Sequence, residues 1–271
     1  MTSLKNLNPM ENNFKDGEMR NPFAPPKGYQ PTESLPTIDT DEFIKVVETR
    51  RAVRRFTQEA VPEEIIDRCL ELALLSPNSC NLQPWEFVKI NNEKIREEIN
   101  IACMNQNSAR TAPNMIAVVA RTDTWKRNAV DMLKYWPEPE VPKAVEKMLT
   151  KDIVFQYDLG WFGLKGIFKR LVYRAIGLKQ PIWQGPVTIA EREEWATKTT
   201  ALAAQTLMLA VRAFGYDTCP IEGFDRRRVD RILNLSKEEK VIMFVSIGKR
   251  AEDGLYQQRV RLPNSQFIRE V

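Results

Sequence analysis

The chain has 271 residues, 43% of them hydrophobic, enough for one domain of generous size or a domain carrying a large insertion. Its 40 Lys and Arg against 36 Asp and Glu leave a net charge of +4, too mild to argue for a nucleic-acid partner, so any basic function must be local. The absence of histidine excludes a Ser-His-Asp triad, a His general base and His-ligated metals, and cysteines without a CxxC pair (Cys69, Cys80, Cys103, Cys219) suit neither a zinc site nor a disulfide framework.

In chain order, the start from Met1 to Asn6 holds no apolar run, so no signal peptide is expected. No uncharged apolar stretch of about eighteen residues is present to span a membrane. With unpaired cysteines, this predicts a reducing, cytoplasmic setting. Residues 1–38 are polar and then proline-rich (Pro22, Pro25, Pro26, Pro31, Pro36), which reads either as an extended arm over the surface or a partner, or as a disordered tail. Asp39 with Glu42 reads as the cap of a first helix carrying Phe43, Val46 and Val47 on one face. Arg50, Arg51, Arg54 and Arg55 follow at or just beyond its end, where cations favour the macrodipole and alone are an ordinary solvated cluster.

A second helix is expected from Pro62, with Ile65, Ile66, Cys69, Leu70 and Ala73 inward, stopped at Ser76-Pro77. Pro77, Asn78, Ser79 and Asn81 form a loop of turn residues before a strand holding Trp85, Phe87, Val88 and Ile90. A third helix covers 92–103, and Asn114–Arg121 is a buried strand. Residues 123–186 then carry four of the six tryptophans (Trp125, Trp136, Trp161, Trp183). Between Asp158 and Glu191 there is no acidic residue, but there are Lys165, Lys169, Arg170, Arg174 and Lys179. Leu164, Ile167, Phe168, Leu171, Val172 and Ala175 recur at helical spacing, so 161–179 reads as a basic amphipathic helix. Three roles fit it: a lid over a ligand, an interfacial membrane contact, or a dimer or core-packing element. A long buried helix from Ala190 to Phe214 ends at Gly215, followed by a strand at 216–219, a helix at 225–234 and a strand at 240–247. The class is mixed α and β.

Taken in order, Arg50-Arg51-Ala52-Val53-Arg54, the loop from Pro77 to Trp85, Cys219-Pro220-Ile221-Glu222-Gly223 and Arg259-Val260-Arg261-Leu262-Pro263 resemble the nitroreductase-like flavoprotein family, over roughly 40–122 and 187–263. The resemblance implies an α+β fold, a mostly antiparallel central sheet flanked by helices, with residues 39–271 as the FMN-binding domain and 123–186 as its helical insertion or lid. It also implies a homodimer with FMN between the subunits. Arg50, Arg259 and Arg261 would hold the FMN phosphate, beside Arg51 and Ala52, and Arg54 would lie near the pyrimidine edge of the ring, stabilising the charge that builds there on reduction. Where the family usually has Ser, this chain has Ala52, which removes one phosphate hydrogen bond worth about 1 kcal/mol. Pro77, Asn78, Ser79 and Asn81 would face the flavin of the other subunit, and Asn105 would touch the pyrimidine. Three residues on, where a second cation sometimes stands, this chain has Ser108. In the turn Pro220, Ile221, Glu222, Gly223, a backbone N–H of Glu222 or Gly223 would meet flavin N5, so catalysis would need no side-chain acid and no metal.

The implied activity is an oxidoreductase that uses NADH or NADPH to reduce FMN and passes electrons to a small-molecule acceptor (a nitroaromatic, quinone or activated alkene) in a ping-pong cycle. Alternatives are a reductive dehalogenase of the same fold, and a non-catalytic protein that sequesters flavin or sits at a membrane surface through 161–179.

Overall fold

The computed structural model describes residues 36–271 together with a short antiparallel ladder of Phe14–Lys15 (β1) with Glu18–Met19 (β2). The rest of the proline-rich stretch assigned to an arm or tail lies outside the described residues. The chain divides into two compact units, one formed by residues 40–124 and 190–271, the other containing Trp125–Ile189.

The first unit is built on Asn114–Arg121 (β4), whose unbroken apolar run makes sense once both of its faces are covered. Met115, Ala117 and Val119 point to one core; Ile116 and Val118 point to another. Trp85–Lys89 (β3), Asp217–Ile221 (β5) and Glu239–Gly248 (β6) complete a four-stranded antiparallel sheet in the order β3-β4-β6-β5. The α+β class with an antiparallel sheet is therefore as the family resemblance implied. A shift in the β4–β6 register between Val118 and Val119 marks a bulge. Arg121 ties the sheet's end together by pairing with Glu86, Asp123 and Glu239, and these partners, first Asp123, raise its pKa.

Glu63–Leu74 (α2) and Ile189–Ala213 (α9) cover the Ile116 face. Small side chains such as Ala203 and Ala204 let the 25-residue α9 run buried, and Gly215 at φ 84 ends it. Glu93–Ala102 (α3), capped by Asn92, and Arg226–Ile232 (α10), capped by Asp225, cover the other face. Several expected boundaries shift by one to three residues, two of them at prolines. The second helix begins at Glu63 rather than Pro62, whose extended ψ of 134° makes it the cap position. The strand expected at 216–219 runs to Ile221, because β5 is an edge strand of the ladder, where proline is tolerated and Pro220 pairs opposite Val245.

The other unit is helical: Trp125–Lys134 (α5), Lys143–Lys147 (α6), a π-type turn Met148–Asp152, Ile153–Tyr157 (α7) and Leu164–Gly177 (α8). In α8 the face turned inward is not the apolar stripe. Gly166, Lys169 and Tyr173 are buried, whereas Leu164, Ile167, Phe168 and Leu171 are exposed. A polar lock sets this orientation. Lys169 Nζ donates to the Gln156 carbonyl at 2.8 Å, the Tyr173 hydroxyl bonds the Gln156 side chain, and Gly185 N–H donates to the same Gln156 oxygen at 2.6 Å. No described helix is long and apolar enough to cross a membrane.

Candidate functional site

The first helix, Thr40–Thr49 (α1), delivers Arg50 to a fixed place. Arg212 of α9 donates to Thr49 Oγ1 at 2.9 Å and pairs with Asp217 at the start of β5 at 3.2 Å, pinning the helix end to the sheet. The chain beyond it is stitched on both sides. Ala52 forms a parallel bridge to Thr218, Val53 N–H donates to the Thr218 carbonyl at 3.0 Å, and Arg54 N–H donates to the Gly254 carbonyl at 2.8 Å. Val53 and Phe56 plug this segment into the core, which leaves the arginines between them on the outer side. Gly254 allows the close approach, since a Cβ there would stand 2.6 Å from the Arg55 carbonyl oxygen.

The C-terminal segment then folds back over the cluster. Arg51 Nη2 donates to the Gln257 carbonyl at 2.7 Å, and Arg259 Nη2 donates to the Arg50 carbonyl at 2.6 Å. Between the segments lies a cavity of about 610 Å³ walled by 50–54, 106–108 and 255–261. Its lining includes Arg50, Arg51, Arg54, Arg259 and Arg261, and no carboxylate. Burial, and after it the guanidiniums of Arg259, Arg261 and Arg51, push the Arg50 pKa down. Arg54 Nη1 lies 3.5 Å from the buried Cys219 sulfur, and burial raises that thiol's pKa despite the neighbouring cation. Such a wall can bind an anion bidentately and repels itself without one. Among the described residues no cluster of Cys, Asp and Glu could hold a metal.

Residues 50–54 and 259–261, separated by about 200 positions of sequence, thus meet in one cavity. The turn at 220–223 is joined to it indirectly: Gln106, on the cavity wall just before the short helix Asn107–Thr111 (α4), donates through Nε2 to the Gly223 carbonyl at 2.8 Å. Asn105 stands at the end of α3 at φ 53, its N–H bonded to the Asn100 carbonyl at 2.8 Å, and is not part of the wall. Pro77, Asn78, Ser79 and Asn81 do not line this cavity either. Their loop holds Cys80, Asn81 and Gln83 at positive φ, and Asn78 Oδ1 steadies it by accepting from Gln83 N–H at 2.8 Å.

Gln106, Asn107 and Tyr256 escaped the sequence reading. Asn107 donates to the Tyr256 hydroxyl at 2.9 Å across the cavity wall. The cue for them was the polar run 105–108 before Thr111-Ala112-Pro113, too short to show helical period.

A model of the nitroreductase family matches residues 47–249. The Bacillus subtilis protein named "Putative NAD(P)H nitroreductase YdgI" is 30% identical over 226 residues, covering 82% of this chain and 95% of that protein. Among solved structures, the B. subtilis "putative nitroreductase ydfN" superposes with a TM-score of 0.68 at 22% identity, covering 86% of this chain and all of that one. A "putative nitroreductase in complex with FMN" from Exiguobacterium sibiricum gives 0.59 at 24% identity, covering 88% and 100%. At these identities the two structures establish the fold.

Proposed function

We propose that this chain, which belongs to the nitroreductase family, is an NAD(P)H-dependent flavin oxidoreductase that holds FMN in the arginine-walled cavity, and that its final acceptor is a nitroaromatic, a quinone or an activated alkene. One observation carries this reading: five guanidiniums and no carboxylate converge on a cavity of about 610 Å³. The donor set fits the cofactor, because a phosphate offsets the mutual repulsion around Arg50, and the volume suits a ligand of that size. When bound, FMN supplies hydride acceptance from NADH or NADPH and electron delivery to the acceptor, as a ping-pong cycle requires.

In this reading Arg50, Arg259 and Arg261 grip the phosphate, and Arg51 braces the C-terminal segment through Gln257. Arg54, beside Cys219 of β5, would supply a positive charge to the ring that favours its reduction. Gln106 holds the Gly223 carbonyl at 2.8 Å and so braces the turn whose Glu222 or Gly223 N–H would meet the ring. The chemistry then needs no side chain that titrates near neutrality, consistent with a chain lacking histidine.

We also infer a homodimer. Helix α1 buries none of its residues and exposes Phe43 and Val47, and Val260, Leu262, Phe267 and Ile268 are exposed along the C-terminal segment. A second copy would cover these apolar groups and bring its own 77–81 loop to this cavity.

The double variant Arg50→Ala/Arg261→Ala tests the assignment. Each charge-assisted contact contributes about 1.5–3 kcal/mol, so FMN affinity should fall by about a hundredfold or more while the fold persists. Stoichiometric yellow FMN retained in the purified double variant would place the phosphate elsewhere.

A further inference from the structure

We propose that α8, with the Trp161-Phe162 turn before it, is a docking surface for a lipid bilayer bearing anionic headgroups. At about 100° per residue, Leu164, Ile167, Phe168, Leu171 and the helix-capping Leu178 fall within an arc of about 100°. All five are between 54% and 88% exposed. The opposite face is the one locked inward by Gly166, Lys169 and Tyr173, so the apolar ridge is outward because the fold fixes it there. Gly166 is part of that lock: a Cβ at this position would overlap the Val187 carbonyl.

The ridge is flanked by cations on both sides, Lys165 on one and Arg170 with Arg174 on the other, all exposed. At its N-terminal end Gly160 and Gly163, at φ 64 and 78, bracket a turn that presents Trp161 and Phe162 outward with ring centroids 4.7 Å apart. An apolar ridge, flanking guanidinium and ammonium groups and an aromatic pair at one end form the pattern of a helix lying in a bilayer interface. The helix is too short to span one.

Charge decides between a membrane and a second copy of the chain. From residue 159 to residue 190 there is no carboxylate, and Asp158 is engaged by Lys165 at 2.5 Å. Two copies meeting ridge to ridge would press Arg174 and Lys179, both exposed, against the same cations, with no acid within the segment to offset them. Anionic headgroups complement this surface without that repulsion. The proposal uses no feature of the arginine cavity, so flavin content and lipid binding succeed or fail separately.

The test is co-sedimentation of the full chain with vesicles of equimolar phosphatidylcholine and phosphatidylglycerol, against phosphatidylcholine alone. Partitioning should favour the anionic vesicles by about tenfold or more and decline with added salt. Ile167→Glu/Leu171→Glu, at two exposed positions, should abolish it without changing the thermal melt. Independently of any folding defect in that variant, brominated acyl chains should quench tryptophan emission of the wild-type chain, and Trp161→Phe should remove part of that quenching. Failure to sediment with anionic vesicles overturns the proposal, as does binding that survives the double Glu substitution. Self-association that the Glu variant abolishes, without vesicle binding by the wild type, also overturns it and identifies a second copy as the cover.

Discussion

Arg50 illustrates what a guanidinium does at the end of a helix that is also pinned to a sheet. At an ordinary exposed helix terminus it would favour the macrodipole and remain hydrated. Here Arg212 and Asp217 fix the helix end, and Arg259, Arg261 and Arg51 crowd the same cavity, so part of the hydration is lost and like charges accumulate. A bound phosphate offsets both costs. Arg54 belongs to the same wall but reaches Cys219 of β5, at 3.5 Å, where the proposed role is electronic rather than anchoring. Replacing it by Gln removes a charge that favours the reduced, anionic ring. The potential of bound FMN should therefore become more negative, by roughly 30–60 mV for a two-electron couple and about 1.5–3 kcal/mol. A redox titration of Arg54→Gln checks this, and an unchanged potential would separate Arg54 from the ring.

At the scale of elements, the sequence spoke most clearly where period and flanks agreed. The strand Asn114–Arg121 is where the residues indicated, and the third helix starts one residue later than expected because Asn92 accepts from Ile95 N–H as its cap. Helix α4 was not legible: five residues between a positive-φ Asn105 and Ala112-Pro113 show no periodicity. The facing of α8 was not legible either. An apolar stripe on a helix normally marks the inward side, yet here a buried lysine, a tyrosine and a glycine make the contact, and the partners that satisfy them (Gln156, Gly185, Val187) come from chain outside the helix. Only tertiary structure assembles such a lock. Gly166→Ala tests it: overlap with the Val187 carbonyl should destabilise the protein by roughly 1–3 kcal/mol, seen as a lower urea midpoint by far-UV circular dichroism. A midpoint like that of the wild type would mean that α8 does not seat on Val187.

For the whole molecule, the site is a meeting of sequence segments that are remote from one another. The arginines at 50–54 and 259–261 could be singled out by their composition and order, but their convergence is created by β5, β6 and the Gly254 contact between them. The 77–81 loop and Asn105 lie off this cavity, and α1 and the C-terminal segment leave Phe43, Val47, Leu262, Phe267 and Ile268 exposed, the surface on which the proposed second copy would sit. A flavin in the arginine cavity would colour the protein, so the decisive observation is the visible absorption spectrum of the purified chain, with the released chromophore identified by mass. A flavin spectrum with FMN released at one per chain is the expected result. A colourless protein that also takes up no added FMN would contradict the account and leave the five arginines as a surface cluster awaiting some other anion.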